Sequence, residues 1–563
     1  MAAKPLSQGW FDWIIHRFVG WRAGLPVPSS SYTVQTVKIP LAGDDNIQLV
    51  ADLYQPTHGK PPSGTILIQC PYGRGLPLSL NLRIWACYGY NVLLVSTRST
   101  FGSSGALDPA RTDSIDGPRV VEWMRAQPWY TGTFATLGPS YLGFTQWALL
   151  NADPPLEDMV AAIISVGPQD FSELLWGTGA LWLPLVDWAQ SMAQQRYGSM
   201  LGMLWASMTG GGGDRLMSVK KSLPFVEGAR AELGDRASWL YELINRSDTA
   251  SDPHYHPMKQ GGALEKTKVP ILLVSGWYDI CTMQTMAAYQ RLQERNCTVA
   301  LTRKYLAKRT MGDIRPSPVR INITGTNEWR WLPVYPPPTS SLELFLDPKG
   351  ALSWTQLVTP EKTQFTFDPH SPTPSIGGPF LMDGGSVDDS VLAKRPDVLS
   401  FTSPPLTDDI EVLGTPSIVL LHSSDTPHVD LFVRLSEVAA GGRTSRNLCE
   451  VYKRLDPGRA HTPGAPIKVE LALSDCAHRF KKGTQIRVVV AGGCFPLYSF
   501  NLGSGEPQGT GTTVRSAVHG VHCGGGRRVE ACVTRGVKTD TYDDAFHVSS
   551  VVSYYSIIYS LPL

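Results

Sequence analysis

Beyond residue 31, the pattern of polar and apolar positions changes character twice along the chain. Thr33–Ile39 and Ile47–Tyr54 alternate with a period of two, which predicts strands with one buried face and polar turns between them. Thr65–Gln69 and Asn91–Ser96 are instead short, continuous apolar runs of the kind found in strands covered by helices on both faces. Gly117–Gln127 carries Val120, Val121, Trp123 and Met124 at helical spacing, Thr133–Leu137 predicts another strand, and Tyr141–Asn151 another helix. This alternation implies an α/β sheet. The rhythm breaks at about Pro154. The stretch to about Leu264 is rich in Trp, Leu and Met, contains the Gly210–Gly213 run, and predicts a helical insertion over the carboxyl edge of the sheet. The sheet is expected to resume at Val269–Gly276, with a further strand at Val319–Gly325. From about Ser341 strands predominate (Ser417–Leu421, Val429–Leu435, Lys468–Leu471, Gln485–Val490, Val551–Ile558), separated by Gly, Pro and Ser turns, which predicts a β-sandwich or jelly roll.

The N-terminal segment Trp10–Val19 is too short and too interrupted for a signal peptide or a membrane span, and reads as an amphipathic helix packed on the body of the molecule in preference to a membrane. The length of 563 residues allows two to four domains at roughly 100–200 residues each. Charged residues make up 18% and hydrophobic ones 42%, an ordinary globular composition. The net charge of +1 gives no electrostatic footprint for nucleic acid or for acidic membranes. The nine cysteines show no CxxC spacing, which predicts buried thiols in a reducing, cytoplasmic setting rather than a zinc site or a disulfide framework.

Three segments carry candidate chemistry. In Gly138-Pro139-Ser140-Tyr141-Leu142-Gly143, Ser140 falls on a tight turn between a strand and a helix. There the helix N-terminus and backbone N–H groups can stabilise a developing oxyanion. The second glycine comes one position later than in the common G-x-S-x-G pattern, so the motif draws its weight from the strand before it and the helix after it. Asp279, in Ser275-Gly276-Trp277-Tyr278-Asp279, follows a buried strand, where an acid partner would be presented; an Asp there also suits a helix cap. Tyr72, in Gln69-Cys70-Pro71-Tyr72-Gly73-Arg74, either donates its hydroxyl at the mouth of the site or packs as a turn aromatic.

These segments, with Thr97-Arg98, Phe101–Gly105, Asp116-Gly117, Gln127-Pro128-Trp129, Glu328-Trp329-Arg330, Phe365–Pro369, Asp430–Leu435 and Ala477–Phe480, run in one order along nearly the whole chain. Together they resemble the CocE/NonD-type serine hydrolases, which are cocaine-esterase-like and related to the Xaa-Pro dipeptidyl-peptidases. The resemblance implies an N-terminal extension over 1–31, an α/β-hydrolase core in two parts (32–153 and 266–340), a helical cap over 154–265, and a jelly-roll, galactose-binding-like domain over 341–563. It implies Ser140 as nucleophile, Asp279 as acid, and the Tyr72 hydroxyl with the Tyr141 backbone N–H as the oxyanion hole. No cofactor and no metal are expected. The expected partner is a small ester or amide with a bulky apolar group, with neither nucleic acid nor a membrane span involved.

The resemblance fails at one place. A serine triad needs an imidazole to take and return the serine proton. In this family the histidine lies in a loop after the acid. Here Thr298–Thr302 reads as the strand before that loop, but Arg303–Pro316 follows at once and no histidine occurs between His256 and His370. A segment of a few dozen residues is thus expected to be absent between Thr302 and Arg303. His254, His256, His370, His519 and His522 are poor substitutes, and His519-x-x-His522 would make only a weak metal pair. The competing reading is a hydrolase fold that has lost its base, or a splice or gene-model variant lacking it, that acts, if at all, in binding.

Overall fold

A computed structural model describes residues 6–22, 27–41, 43, 46–57, 59–75, 83–197, 213–295, 317–356, 360–380, 384–455, 458, 462–524 and 528–534. The predicted strands Thr298–Thr302 and Val551–Ile558, the Thr302–Arg303 junction and Gly210–Gly212 lie outside the described residues.

The N-terminal half is built on an eight-stranded sheet. Its strands are β1 (Leu6–Ser7), β2 (Tyr32–Pro40), β3 (Gln48–Pro56), β4 (Thr65–Cys70), β5 (Asn91–Ser96), β6 (Phe134–Pro139), β7 (Met159–Ser165) and β8 (Ile271–Val274), in the order β1-β2-β3-β5-β4-β6-β7-β8. β2 and β3 form an antiparallel hairpin, β3 pairs antiparallel with β5, and β5, β4, β6, β7 and β8 run parallel. Every residue of β4 and β5 is buried, as their unbroken apolar runs require of strands covered on both sides. Helix α2 (Asp113–Arg125) lays Val120, Val121 and Met124 against one face. Helix α3 (Tyr141–Leu150) is buried at all ten positions, which accounts for its lack of a polar stripe.

Two expectations are corrected. Met159–Ser165 lies inside the stretch read as helical cap, yet it forms β7 between β6 and β8. Its small, apolar residues fill a central strand, so the helical insertion begins only after it. Val319–Ile323 does not rejoin the main sheet; it pairs with Glu328–Leu332 in a separate two-stranded ribbon whose core includes Leu413 and Ala477 of the C-terminal half.

The helices of the insertion, among them Phe171–Trp176, Pro184–Tyr197, Phe225–Leu233 and Ser238–Ile244, share an apolar core with Tyr141 and Phe144 of α3. That core continues into the C-terminal half, which is all β, through Phe495, Leu497 and Phe500. Main-chain hydrogen bonds tie the insertion to this domain: Arg454 N–H to Thr178 O (2.7 Å), Leu183 N–H to Leu497 O (3.0 Å) and Ser499 N–H to Leu181 O (2.9 Å). Among the described residues no helix is long and apolar enough to cross a membrane. Helix α1 (Trp10–Arg22) forms as predicted, but it docks on the body through Asp12 and His16, its polar edge, rather than through its aromatic residues.

Candidate active site

Tyr72, Ser140 and Asp279 follow β4, β6 and β8, so all three lie at the carboxyl ends of parallel strands, where open α/β sheets form their crevice. β4 and β6 are neighbours, and this adjacency brings the Tyr72 hydroxyl to 3.4 Å from Ser140 Oγ.

Between the end of β6 at Pro139 and the start of α3 at Tyr141 a single residue must reverse the chain. Ser140 does so with φ 57° and ψ −126°, a conformation that costs a non-glycine residue on the order of 1–3 kcal/mol. Its surroundings hold it there. The Ser140 N–H donates to Ser165 O of β7 (2.9 Å), and Ser140 O accepts from Gly143 N–H (2.8 Å). Gly143 is required by close approach: a Cβ on it would stand 2.6 Å from Gly167 Cα. The turn therefore presents the Ser140 hydroxyl beside the first N–H groups of a helix, the end that favours negative charge.

Burial raises the Tyr72 pKa above its ordinary value, with the Ser140 hydroxyl, the Trp188 side chain and the Tyr141 N–H acting in the opposite direction, so the phenol remains a protonated donor at neutral pH. Two expected oxyanion donors thus converge beside one serine hydroxyl.

Tyr141 is itself fixed by a pair of bonds invisible to the sequence reading. Its hydroxyl donates to Asp113 Oδ2 (2.6 Å) and accepts from Ala110 N–H (2.6 Å), while its ring stacks on Trp188 (6.0 Å between centroids, planes at 13°). Burial pushes the Asp113 carboxyl up to about 7, against the pull of the Tyr141 hydrogen bond. In the sequence, Asp113 looks like any acid in the first turn of a helix. Two further motif residues also meet: Arg98 makes a two-pronged ion pair with Asp116 (2.5 and 2.7 Å), bracing the loop after β5 against α2. Phe171 and Trp188 pack against the Tyr141 ring, and Trp239 packs edge-on against Trp188, with centroids 5.5 Å apart.

The Asp279 turn is furnished differently. Its Oδ1 accepts from Cys281 N–H (2.7 Å), within its own turn. Burial pushes the carboxyl up to about 7, opposed by the N–H groups of Cys281 and Ile280, and no cation among the described residues contributes. The neighbouring Tyr278 hydroxyl donates to Asn447 O of the all-β domain (3.1 Å), and Trp277 Nε1–H to Asn322 O (2.8 Å).

Among the described residues no histidine ring hydrogen-bonds to Ser140 or Asp279. His254 and His256 lie on the short helix Pro253–Met258, where the His254 ring packs on Tyr255 and desolvation, then Arg111, lowers its pKa. His370 is exposed in a turn. His519 and His522 occupy the strand Ala517–Cys523 and not a loop, despite the glycines around them. His519 is buried against His422 (3.1 Å) and stacked on Phe365, while His522 meets Ser423 (3.0 Å). No group of three or more His, Cys, Asp or Glu among the described residues could hold a metal ion.

Residues 45–308 match the X-Pro dipeptidyl-peptidase (S15 family), and residues 314–530 match the X-Pro dipeptidyl-peptidase C-terminal non-catalytic domain. The chain is 24% identical over 549 residues to the cocaine esterase of a Rhodococcus species, an alignment covering 84% of this chain and 93% of that protein. Among solved structures, an aminopeptidase from a marine-sediment Thaumarchaeota archaeon aligns with a TM-score of 0.73 at 18% identity, over 90% of this chain and 97% of that one. An α-amino acid ester hydrolase aligns with a TM-score of 0.71 at 18% identity, over the same shares, and a CocE/NonD family hydrolase from Staphylococcus aureus with 0.60 at 15%, over 90% and 94%. These structures share the fold. With an α/β-hydrolase core followed by an all-β domain, and with both parts matched in order, the chain belongs to the X-Pro dipeptidyl-peptidase (S15) family of hydrolases.

Proposed function

We propose that Ser140 is the nucleophile of an acyl-transfer site for carboxylic esters bearing a bulky apolar group, with the Tyr72 hydroxyl and Tyr141 N–H as oxyanion donors and Asp279 as the acid. The observation that carries this reading is the Ser140 turn, where a strained serine, a helix N-terminus and two donors meet at one point. In this chemistry Ser140 Oγ attacks the carbonyl carbon while a base takes its proton. The carbonyl oxygen becomes an oxyanion facing Tyr72 and Tyr141. The alcohol then leaves with a proton, and water repeats the sequence on the acyl-enzyme. The aromatic cluster of Phe171, Trp188 and Trp239 packed around Tyr141 suits an apolar group. The cocaine esterase relative favours esters, while the name of the family keeps amides of the X-Pro kind as the second substrate class.

The missing proton relay favours a second reading, a catalytically impaired hydrolase. An Asp279 carboxyl raised to about 7, with its own turn's N–H groups as its hydrogen-bond donors, is not poised to orient an imidazolium. Without the base, only the roughly 10³–10⁴-fold acceleration due to oxyanion stabilisation and binding is expected to remain.

The test is p-nitrophenyl butyrate cleavage by the parent chain and by Ser140→Ala, with and without free imidazole, alongside mass spectrometry of the protein. The expected result is that imidazole speeds the parent beyond Ser140→Ala and that a butyryl group accumulates on Ser140. Equal rates in the two proteins under both conditions, with Ser140 unacylated, would leave the impaired reading in its place.

A further inference from the structure

Helix α1 is turned inside out. On an ideal helix at 3.6 residues per turn, Trp10, Phe11, Trp13, Ile14, Phe18 and Trp21 fall within an arc of about 160°. All six face solvent, Trp10 at 76% and Trp21 at 71% exposure. The opposite edge holds the contacts to the body. Asp12 pairs with Arg83 (2.9 Å), and the buried His16 receives Gln8 Nε2 at 3.1 Å and lies 5.9 Å from the Tyr32 ring. A helix that merely packed on the molecule would bury its aromatics and leave Asp12 in water.

We propose that α1 is a docking surface for an anionic phospholipid membrane, lying flat in the interface with its aromatic arc immersed. The outward arc carries Arg17, its guanidinium 4.8 Å from the Trp13 ring centroid, and no acid; the helix's one carboxylate is turned inward and neutralised by Arg83. A cation set among indoles complements a phosphate headgroup layer, and tryptophan favours that layer because its ring is apolar and its N–H polar. A second copy of this chain fits less well. An isologous contact would set the arc against its own copy, which offers Arg17 no carboxylate, whereas a phosphate layer supplies an anion. The helix, at 13 residues, is too short to span a bilayer, so the contact is peripheral.

The test is vesicle flotation of the full chain with phosphatidylcholine alone and with phosphatidylcholine mixed with phosphatidylglycerol. It compares the parent, a triple variant (Trp10→Ser, Phe18→Ser, Trp21→Ser) and Arg17→Glu, with gel filtration of each. The parent is expected to float with the anionic vesicles, the triple variant to bind roughly ten-fold more weakly with an unchanged thermal melt, and Arg17→Glu to bind ~5-fold more weakly. The proposal is overturned if the parent stays unbound on both vesicles, or if the triple variant floats as well as the parent. It is equally overturned if the parent is a dimer that the triple variant turns into a monomer while neither floats, because the occupant is then a second copy.

Discussion

The Ser140 turn and the Asp279 turn stand at the ends of strands of the same sheet, yet they are built on different principles. The Ser140 turn is locked into the core: β7 holds its N–H, Gly143 meets Gly167 without room for a methyl group, and Tyr141 is pinned by Asp113 and Ala110. The Asp279 turn folds on itself through Cys281 and Thr282, and is moored to the all-β domain by Tyr278 and to the two-stranded ribbon by Trp277. The half proposed to receive the acyl group is thus part of the fold's own packing. The half proposed to relay the proton is moored from outside, and among the described residues its carboxyl has no cation to keep it ionised. The first is expected to persist whatever becomes of the second.

That contrast can be broken most forcefully at Gly143. Gly143→Ala drives a Cβ into Gly167 Cα and is expected to cost about 3 kcal/mol in denaturant unfolding, since backbone on both sides must give way. Tyr141→Phe strands the Asp113 carboxyl and the Ala110 N–H in the interior and is expected to cost roughly 2 kcal/mol by the same measurement. Ser140→Gly runs the other way: it relieves the left-handed backbone and is expected to stabilise by about 1 kcal/mol. If it destabilises instead, the turn is not strained.

The effect of Asp279→Asn differs in kind, because it depends on pH. Below about 4 the carboxyl is protonated in both the folded and unfolded chains and contributes nothing. Between 4 and 7 the unfolded chain ionises while the folded one, with its value near 7, keeps its proton, so the parent loses stability as pH rises. Above 7 the loss is complete. The thermal melting point of Asp279→Asn should therefore gain on the parent by more at pH 8 than at pH 5. An equal difference at both values would mean that the carboxyl titrates normally, as an ion-paired acid would.

Much of this arrangement was legible in the sequence, for physical reasons. Unbroken apolar runs such as Asn91–Ser96 can only be doubly covered strands, and a serine between a strand and a helix has few ways to turn. Met159–Ser165 was misread because its small residues sit next to the Trp-rich helices, and nothing local separates a buried strand from a buried helix over seven residues. The Asp113–Tyr141 bond joins residues 28 apart through a loop, and no periodicity records such a meeting. The orientation of α1 was hidden for a related reason. The pattern gives the arc, but only the pairing of Asp12 with Arg83 decides which side of that arc faces inward.

The three main-chain bonds that join Thr178, Leu181 and Leu183 to Arg454, Ser499 and Leu497 bear on how new specificity could be engineered into this scaffold. The insertion leans on strands and loops more than 250 positions downstream. A cap transplanted from a relative would arrive with its edge unpaired unless the segments around residues 454 and 494–500 travelled with it. The exchangeable unit is the pair, and libraries that vary the insertion alone would select first for repairs to that seam and only afterwards for the proposed specificity.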